Sequence, residues 1–330
     1  MATVGPTARD EIHRRAVALR TLVLAAVARQ PAECLLLSGG LDTSILAGAA
    51  RASGTKAAVT VLASGDAADG PFATAVAAKH GLAHHVVRTD LGDLLQEVPF
   101  VVRTLKTFDP MEIRNSIVIA RALRRASAEG YGTALTGDGA DELFGGYSYM
   151  WDKPDGEFEA YSERLARVMR FSSIPLGQAL GVDVRTPYTA PEVVAFAAGL
   201  RKGDKVGVHE GVRVGKYILR LAFPEVEARW RRKDPIEVGS GSAALPGYFE
   251  REISQETFSH EATRAKTVDR VEIRDPEQLA YYCVFRTVFG DDPPIPRFAS
   301  DPCSKCGFEL ASRETNFCVT CGAWPARLVP

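Results

Sequence analysis

Short apolar runs alternate with longer stretches of helical periodicity through the first part of the chain. The runs Cys34–Leu37, Ala57–Leu62, His84–Val87 and Thr133–Leu135 predict strands. Residues 8–30 predict an amphipathic helix, and helical patterns also lie at Asp42–Ala50, Phe72–Lys79 and Asn115–Ala128. Strands separated by helices imply an α/β fold with a parallel sheet covered on both faces. From about Trp151 onward the strand pattern stops and helical patterns dominate. The second half is therefore expected to be helical, to lie over the strand ends and to shape an acceptor pocket. There is no internal repeat.

Two of the predicted strands run into loops with chemistry. After Cys34–Leu37 comes Ser38-Gly39-Gly40, and a helix restarts at once. A strand, a glycine turn and a helix aim several backbone N–H groups and the positive helix end at one spot, which favours an anion such as a nucleotide phosphate. Ser38, Thr43 and Ser44 add hydroxyl donors, and Asp42 places a carboxylate where a magnesium ion can sit between it and phosphate. No lysine follows Gly40, so this is not the mononucleotide loop ending in Gly-Lys-Ser/Thr. After Thr133–Leu135 the chain reads TGDGADELFGGY and carries Asp138, Asp141 and Glu142. Ligands of parallel sheets gather beyond the carboxyl ends of the strands, so Asp42 and Asp141 can meet at one metal.

SGGLDTS resembles the pyrophosphate loop of enzymes that split ATP between its alpha and beta phosphates. Together with GTALTGDGADELFGGY it resembles the synthetase domain of glutamine-hydrolysing asparagine synthetases and of the beta-lactam and carbapenam synthetases. Three later segments extend the likeness. GVDVRTPY, Gly181–Tyr188, is similar to the family's E-x-R-x-P-F segment, with Asp183 for glutamate and Tyr188 for phenylalanine. GKYILRLAF, Gly215–Phe223, is similar to a K-Y-x-L-R-x-A-F helix, and RRKDPIEVGSG, Arg231–Gly241, to the segment bearing an essential lysine.

The resemblance implies the fold of the pyrophosphate-loop (adenine nucleotide alpha-hydrolase-like) enzymes, ATP and Mg2+ as cofactors, and a division of labour among residues. Ser38, Gly39, Gly40, Asp42, Thr43 and Ser44, with Gly137 from the second loop, would hold the nucleotide. Gly239, Ser240 and Gly241 would hold pyrophosphate. Asp42 and Asp141 would bind magnesium, and Lys233 would stabilise charge on the alpha phosphate. Asp138 stands where asparagine synthetases have glutamate and beta-lactam synthetases have tyrosine, a position that handles the proton of the attacking amine. Aspartate has a shorter reach, and a purely loop-fixing role is the other reading. The implied reaction is activation of a carboxylate as an acyl-adenylate, then amide formation.

The family's glutaminase nucleophile is a cysteine after the initiator methionine; here Met1 is followed by Ala2. The expectation is a synthetase without its own glutaminase. Nitrogen would come from free ammonia, another amine or a separate glutaminase, with a sulfur donor as the variant. The acid would be a small-molecule or carrier-bound carboxylate. Two rivals are a sulfur transferase that works by adenylating a tRNA base or a small molecule, and a non-catalytic nucleotide-binding subunit docked to a glutaminase or carrier protein.

The cysteines add a second feature. Cys303, Cys306, Cys318 and Cys321 are spaced C-x2-C-x11-C-x2-C, with Gly307 and Gly322 after each pair. Two such turns close a tetrahedral thiolate site, and four thiolates leave no open position, so the reading is a structural Zn2+ ribbon. Disulfides and a rubredoxin-like iron are the competing readings. The expected layout is a synthetase-like domain over 1–290, a proline-rich linker over 291–302 and the ribbon over 303–330. Phe308, Phe317 and Trp324 would pack the ribbon on the main domain or dock a partner, and mixed charges around it give no phosphate-binding stripe. Cys34 and Cys283 read as buried small hydrophobes.

Composition narrows the classes. The chain has 330 residues, a net charge of -1 and 46% hydrophobic residues, which fits a globular enzyme and argues against a nucleic-acid binder working through a broad basic surface. No apolar run approaches the ~20 residues of a membrane span. MATVGPTARDEIHRR lacks the apolar core of a signal peptide, so a cytoplasmic location is expected. VRVGKY fails as a phosphate loop, His84 and His85 read as core-edge residues, and the run Arg229, Arg231, Arg232, Lys233 reads as a pyrophosphate clamp. Arg114 reads equally as a nucleotide or carboxylate contact and as a surface arginine.

Overall fold

A computed structural model describes residues 8–63, 69–231, 240–290 and 292–327. Helix α1 (Ala8–Arg29) leads into β1 (Cys34–Leu36), α2 (Leu41–Ala52), β2 (Ala57–Leu62), α3 (Asp69–Lys79) and β3 (Ala83–Arg88). Then follow α4 (Leu91–Leu95), α5 (Val98–Leu105), α6 (Pro110–Ala128), β4 (Thr133–Leu135), α7 (Ala140–Phe144), α8 (Asp155–Val168), α9 (Ser173–Ala179) and β5 (Asp183–Arg185). The remainder comprises α10 (Pro191–Ala198), α11 (Lys202–Lys205), β6 (Val206–His209), β7 (Val212–Gly215), α12 (Tyr217–Ala222), α13 (Leu245–Glu252), α14 (Gln255–Arg264) and α15 (Pro276–Phe289).

The four expected strands form, and a fifth joins them. The sheet order is β3-β2-β1-β4-β5, with every neighbouring pair parallel. The expectation that strands stop near Trp151 is corrected at two places. Asp183–Arg185 adds to β4 as an edge strand, and β6 and β7 pair as an antiparallel hairpin. The edge strand escaped notice because its three residues, Asp-Val-Arg, show no apolar run.

Side chains alternate across the sheet, as the period of two requires. Cys34, Ala57, Val59, Val61 and Ala134 point into a core shared with α5, α6 and α15. Leu35, Leu37, Ala58 and Leu135 point into the opposite core, filled by α1, α2, α10 and α12. On α1 the buried stripe Ala16, Leu19, Val23, Ala26 and Val27 recurs at helical spacing, while Val17 and Leu24 stay exposed. Helix α6 is started by Asp109, whose carboxylate accepts from Met111 N–H at 3.2 Å, with Pro110 in the first turn.

The chain leaves β1 toward β2 on one side and reaches β4 on the other, so strand order reverses between β1 and β4. A crevice opens there at the carboxyl ends of the strands, and ligands of open α/β sheets bind at such points. Both acid-bearing loops start from these two strands. Among the described residues no helix is long and apolar enough to cross a membrane.

Candidate active site

The β1–α2 loop is shaped by its glycines. Gly39 has φ +73, and a Cβ there would lie 2.8 Å from the Phe72 carbonyl carbon of α3. Only glycine lets the two backbones approach this closely. Ser38 Oγ lies 3.1 Å from Thr43 Oγ1, and Gly40 N–H donates to Ser38 Oγ at 3.3 Å, so the hydroxyls brace the turn. Thr43 and Ser44 are buried in the first turn of α2.

The β4–α7 loop packs onto the first. A Cβ on Gly137 would stand 3.1 Å from Asp42 Cβ and 3.3 Å from Thr43 Cγ2. Asp138 is half-buried. Desolvation pushes its carboxyl above the ordinary range, against hydrogen bonds from Ser173 Oγ (2.5 Å) and Thr136 Oγ1 (2.8 Å), both to Oδ2. Asp141 and Glu112 nearby add to the rise. Glu142 is also shifted up by burial, and it accepts from the Tyr147 hydroxyl at 2.6 Å.

Lys216 joins the two loops. Its Nζ lies 2.6 Å from Asp42 Oδ2 and 2.9 Å from Asp141 Oδ1, and the side chain is 4% exposed. Burial opposes the charge, but the two carboxylates outweigh it and hold the ammonium pKa above its usual value. Lys216 sits directly after β7 in a left-handed conformation (φ 56), with its N–H donating to Phe144 O at 3.0 Å. Gly146 is needed here, because a Cβ would run into the Asp141 carboxylate and the Lys216 stem. Tyr188, from the segment after β5, donates its hydroxyl to the Asp42 backbone carbonyl at 3.0 Å.

Arg231 reaches the same loop from the other side. Its guanidinium lies 2.9 Å from Asp69 Oδ1 and 3.4 Å from Gly39 O, and stacks 3.9 Å over the Phe72 ring. Ser240 O accepts from Ala63 N–H at 2.7 Å, which sets the Ser240-Gly241 turn at the carboxyl end of β2. Lys233 and Gly239 lie outside the described residues.

The sequence-derived residues of both loops are thus brought to one crevice, with Ser240 and Gly241 at the neighbouring strand end. Lys216, Ser173, Thr136 and Tyr188 are the residues that sequence reading left without a role. For Lys216 the signal was present in GKYILRLAF, though nothing local ties that lysine to two acids. Arg114 is largely buried and pairs with Glu277 at 3.4 Å, while its backbone carbonyl accepts from Ser242 Oγ at 3.3 Å. His84 and His85 keep the core-edge place expected of them, bonded to Thr60 and Tyr131.

The second candidate site is the cysteine cluster. Cys303, Cys306, Cys318 and Cys321 are all buried, with their sulfurs within 4.8 Å of one another. Cys303 and Cys321 Sγ are 3.8 Å apart and Cys306 and Cys318 Sγ 3.7 Å. Four sulfurs about 2.3 Å from a tetrahedral zinc lie about 3.8 Å from one another, so the donor set fits that ion. Gly307 and Gly322 have φ +74 and +76, and their N–H groups donate to Cys303 O and Cys318 O at 2.8 Å, which closes the two turns. Phe308 is buried against Phe108 and Phe285, whereas Phe317 and Trp324 are exposed. Cys34 is buried as expected, its thiol pushed up to about 12 by desolvation, but Cys283 is exposed rather than buried.

A parallel five-stranded sheet with a glycine-braced, acid-bearing loop at its switch point defines an α/β domain of the pyrophosphate-loop ATP pyrophosphatase type. Residues 18–174 match the family model described as Asparagine synthase. The chain's similarity to whole asparagine synthetases is distant. It is 29% identical over 260 residues to a probable glutamine-hydrolysing asparagine synthetase of Dictyostelium discoideum, covering 68% of this chain and 46% of that protein. It is 29% identical over 238 residues to asparagine synthetase 1 of Arabidopsis thaliana (64% and 40%), and 29% over 283 residues to asparagine synthetase 1 of Saccharomyces cerevisiae (68% and 48%). The chain spans less than half the length of these relatives.

Proposed function

We propose that the protein is an ATP-dependent ligase that activates a carboxylate as its acyl-adenylate and passes it to ammonia or another amine, releasing AMP and pyrophosphate. The observation that carries this reading is the meeting of Asp42 and Asp141 at Lys216 Nζ (2.6 and 2.9 Å), directly beside the glycine turn. Two carboxylates from different loops, gathered around a cation at a phosphate-binding turn, are what a metal–polyphosphate complex requires. Magnesium, when bound, would be held by Asp42 and Asp141 and would neutralise the beta and gamma phosphates.

The chain's own residues then act in sequence. The turn at Ser38–Ser44 orients the triphosphate, with Arg231 at its edge. The substrate carboxylate attacks the alpha phosphorus, the bond to the bridging oxygen breaks, and pyrophosphate leaves toward Ser240–Gly241. Lys233 stabilises the charge on the alpha phosphate and later on the tetrahedral intermediate. Asp138, with its raised pKa, takes the proton of the attacking amine, and AMP departs. Nitrogen arrives as free ammonia, as an amine or from a separate glutaminase. The cysteine cluster holds a structural zinc, in a compartment reducing enough to keep thiols free.

The test is exchange of labelled pyrophosphate into ATP across a panel of carboxylic acids. Substrate-dependent exchange that is lost in Lys233→Ala, by about 10²–10³, supports the reading. Exchange that needs no carboxylate but does need tRNA would move it to base adenylation, and no exchange with any acid would make the protein a nucleotide-binding subunit.

A further inference from the structure

The cysteine ribbon is tied to the catalytic half through its second turn. Phe108 N–H donates to Thr320 O at 2.7 Å and Thr107 Oγ1 to Val319 O at 2.8 Å. Gln278 Nε2 donates to Cys321 O at 2.7 Å, in a fully buried bond. The first two bonds fall on the segment that enters α6, where Thr107 Oγ1 also accepts from Asp109 N–H (3.0 Å) and Asp109 caps the helix. The third falls on the first turn of α15, where Asp275 caps Gln278 N–H at 2.8 Å. A Cβ on Gly322 would strike the Asp109 carboxylate, so the turn lies flush on the cap.

The same helix starts lead on to the crevice. Glu277, beside Gln278, pairs with Arg114 of α6 at 3.4 Å. Ser242 Oγ donates to Arg114 O at 3.3 Å, Ser242 N–H to Ser240 Oγ at 3.4 Å, and Ser240 O accepts from Ala63 N–H at the end of β2. Ser240, Ser242, Glu277 and Gln278 are all buried. A run of buried polar contacts thus joins a metal-ligand residue, Cys321, to the Ser240–Ser242 turn. Buried polar groups held this way have few alternative partners, so loosening one end removes the constraint on the other.

We infer that the metal-holding turn Cys318–Gly322 sets the geometry of the Ser240–Ser242 turn, with Gln278 and Arg114 as positioning residues between them. The ribbon is then part of the apparatus that shapes the phosphate side of the crevice. That the turn receives pyrophosphate rests on the proposed function; the mechanical link does not.

The full zinc-loaded chain carrying Gln278→Met tests this, because the substitution keeps the side-chain volume and all four cysteines. Gln278→Met also removes the acceptor of Arg274 N–H (2.7 Å), at the start of α15 and away from the turn. Hydrogen exchange in peptides covering residues 240–252 should accelerate about five- to tenfold, the loss expected for the one buried hydrogen bond to Cys321. Zinc content and exchange in α1 and α2 should be unchanged. Chelation of zinc from the wild type should release the 240–252 peptides before α1 and α2. Affinity for magnesium pyrophosphate should fall by a similar factor in the variant. Wild-type protection of 240–252 in Gln278→Met, or after the ribbon has melted, would overturn the inference. A wild type that fails to bind magnesium pyrophosphate would sink the ligase reading alone and leave the exchange result standing.

Discussion

Lys216 Nζ stands 2.6 Å from Asp42 Oδ2 in a setting where the lysine is 4% exposed. With Asp141 at 2.9 Å on the other side, one ammonium offsets two carboxylates that would otherwise repel each other across the crevice. Removing one partner from a buried charged group typically costs ~3–5 kcal/mol. Lys216→Met should lose stability of that order in urea unfolding, and Mg2+ should restore more of it than it adds to the wild type. An equal magnesium response in both proteins would mean the acids do not share a cation site.

Gly39 holds the β1–α2 turn against α3 at φ +73, with Phe72 and Ala73 backbone in the space a methyl group would take. Gly39→Ala forces a left-handed alanine into an occupied volume, a strain of at least ~1–3 kcal/mol. Relief has to come from displacing the turn. The expected result is a lower melting temperature together with loss of ATP binding by calorimetry; ATP affinity equal to that of the wild type would disconnect this turn from the nucleotide.

Asp138 has its carboxyl raised by desolvation and held down in part by the Ser173 hydrogen bond. Ser173→Ala removes the lowering contribution, so the pKa climbs further. If Asp138 accepts the proton of the amine, the acidic limb of the pH–rate profile moves to higher pH in the variant. A limb that stays in place assigns Asp138 to bracing the loop with Thr136.

Glu277 is pushed up from 4.5 to about 7, chiefly by burial, with Arg114 and the Tyr281 hydroxyl pulling the other way. A folded-state pKa above the unfolded one means the native state binds the extra proton. The contribution is complete below pH ~4.5 and is lost as pH rises through about 7. Glu277→Gln should therefore gain stability relative to the wild type between pH 5 and pH 7.5 in paired urea titrations. A difference between the two proteins that does not vary over that window would contradict the burial argument.

Much of the sheet could be read before any coordinates. β1, β2 and β4 are apolar runs buried on both faces, and that continuous burial is what the eye detects in a sequence. The acid loops were legible for a different reason: glycine is demanded by backbone approach at Gly39 and fits close against the Asp42 and Thr43 side chains at Gly137, and the hydroxyls and carboxylates lie within a few residues. What stayed hidden is tertiary or nearly polar. The hairpin turns at Glu210-Gly211, both with positive φ, a turn whose first residue carries no Asn or Asp signal, and its strands leave Val208 and Val212 exposed. The Lys216 contacts join three distant segments, and Ser173 reaches Asp138 from the start of α9. Neither partnership has a local pattern to betray it.

Phe308 lies edge-on to Phe108 and Phe285, and the four cysteines share a core with α6 and α15. The tail is consequently not a removable tag. A version trimmed after α15 would leave a bare aromatic wall in water, where greasy surfaces find one another, and anyone shortening this chain for expression should expect precipitate instead of a smaller folded protein.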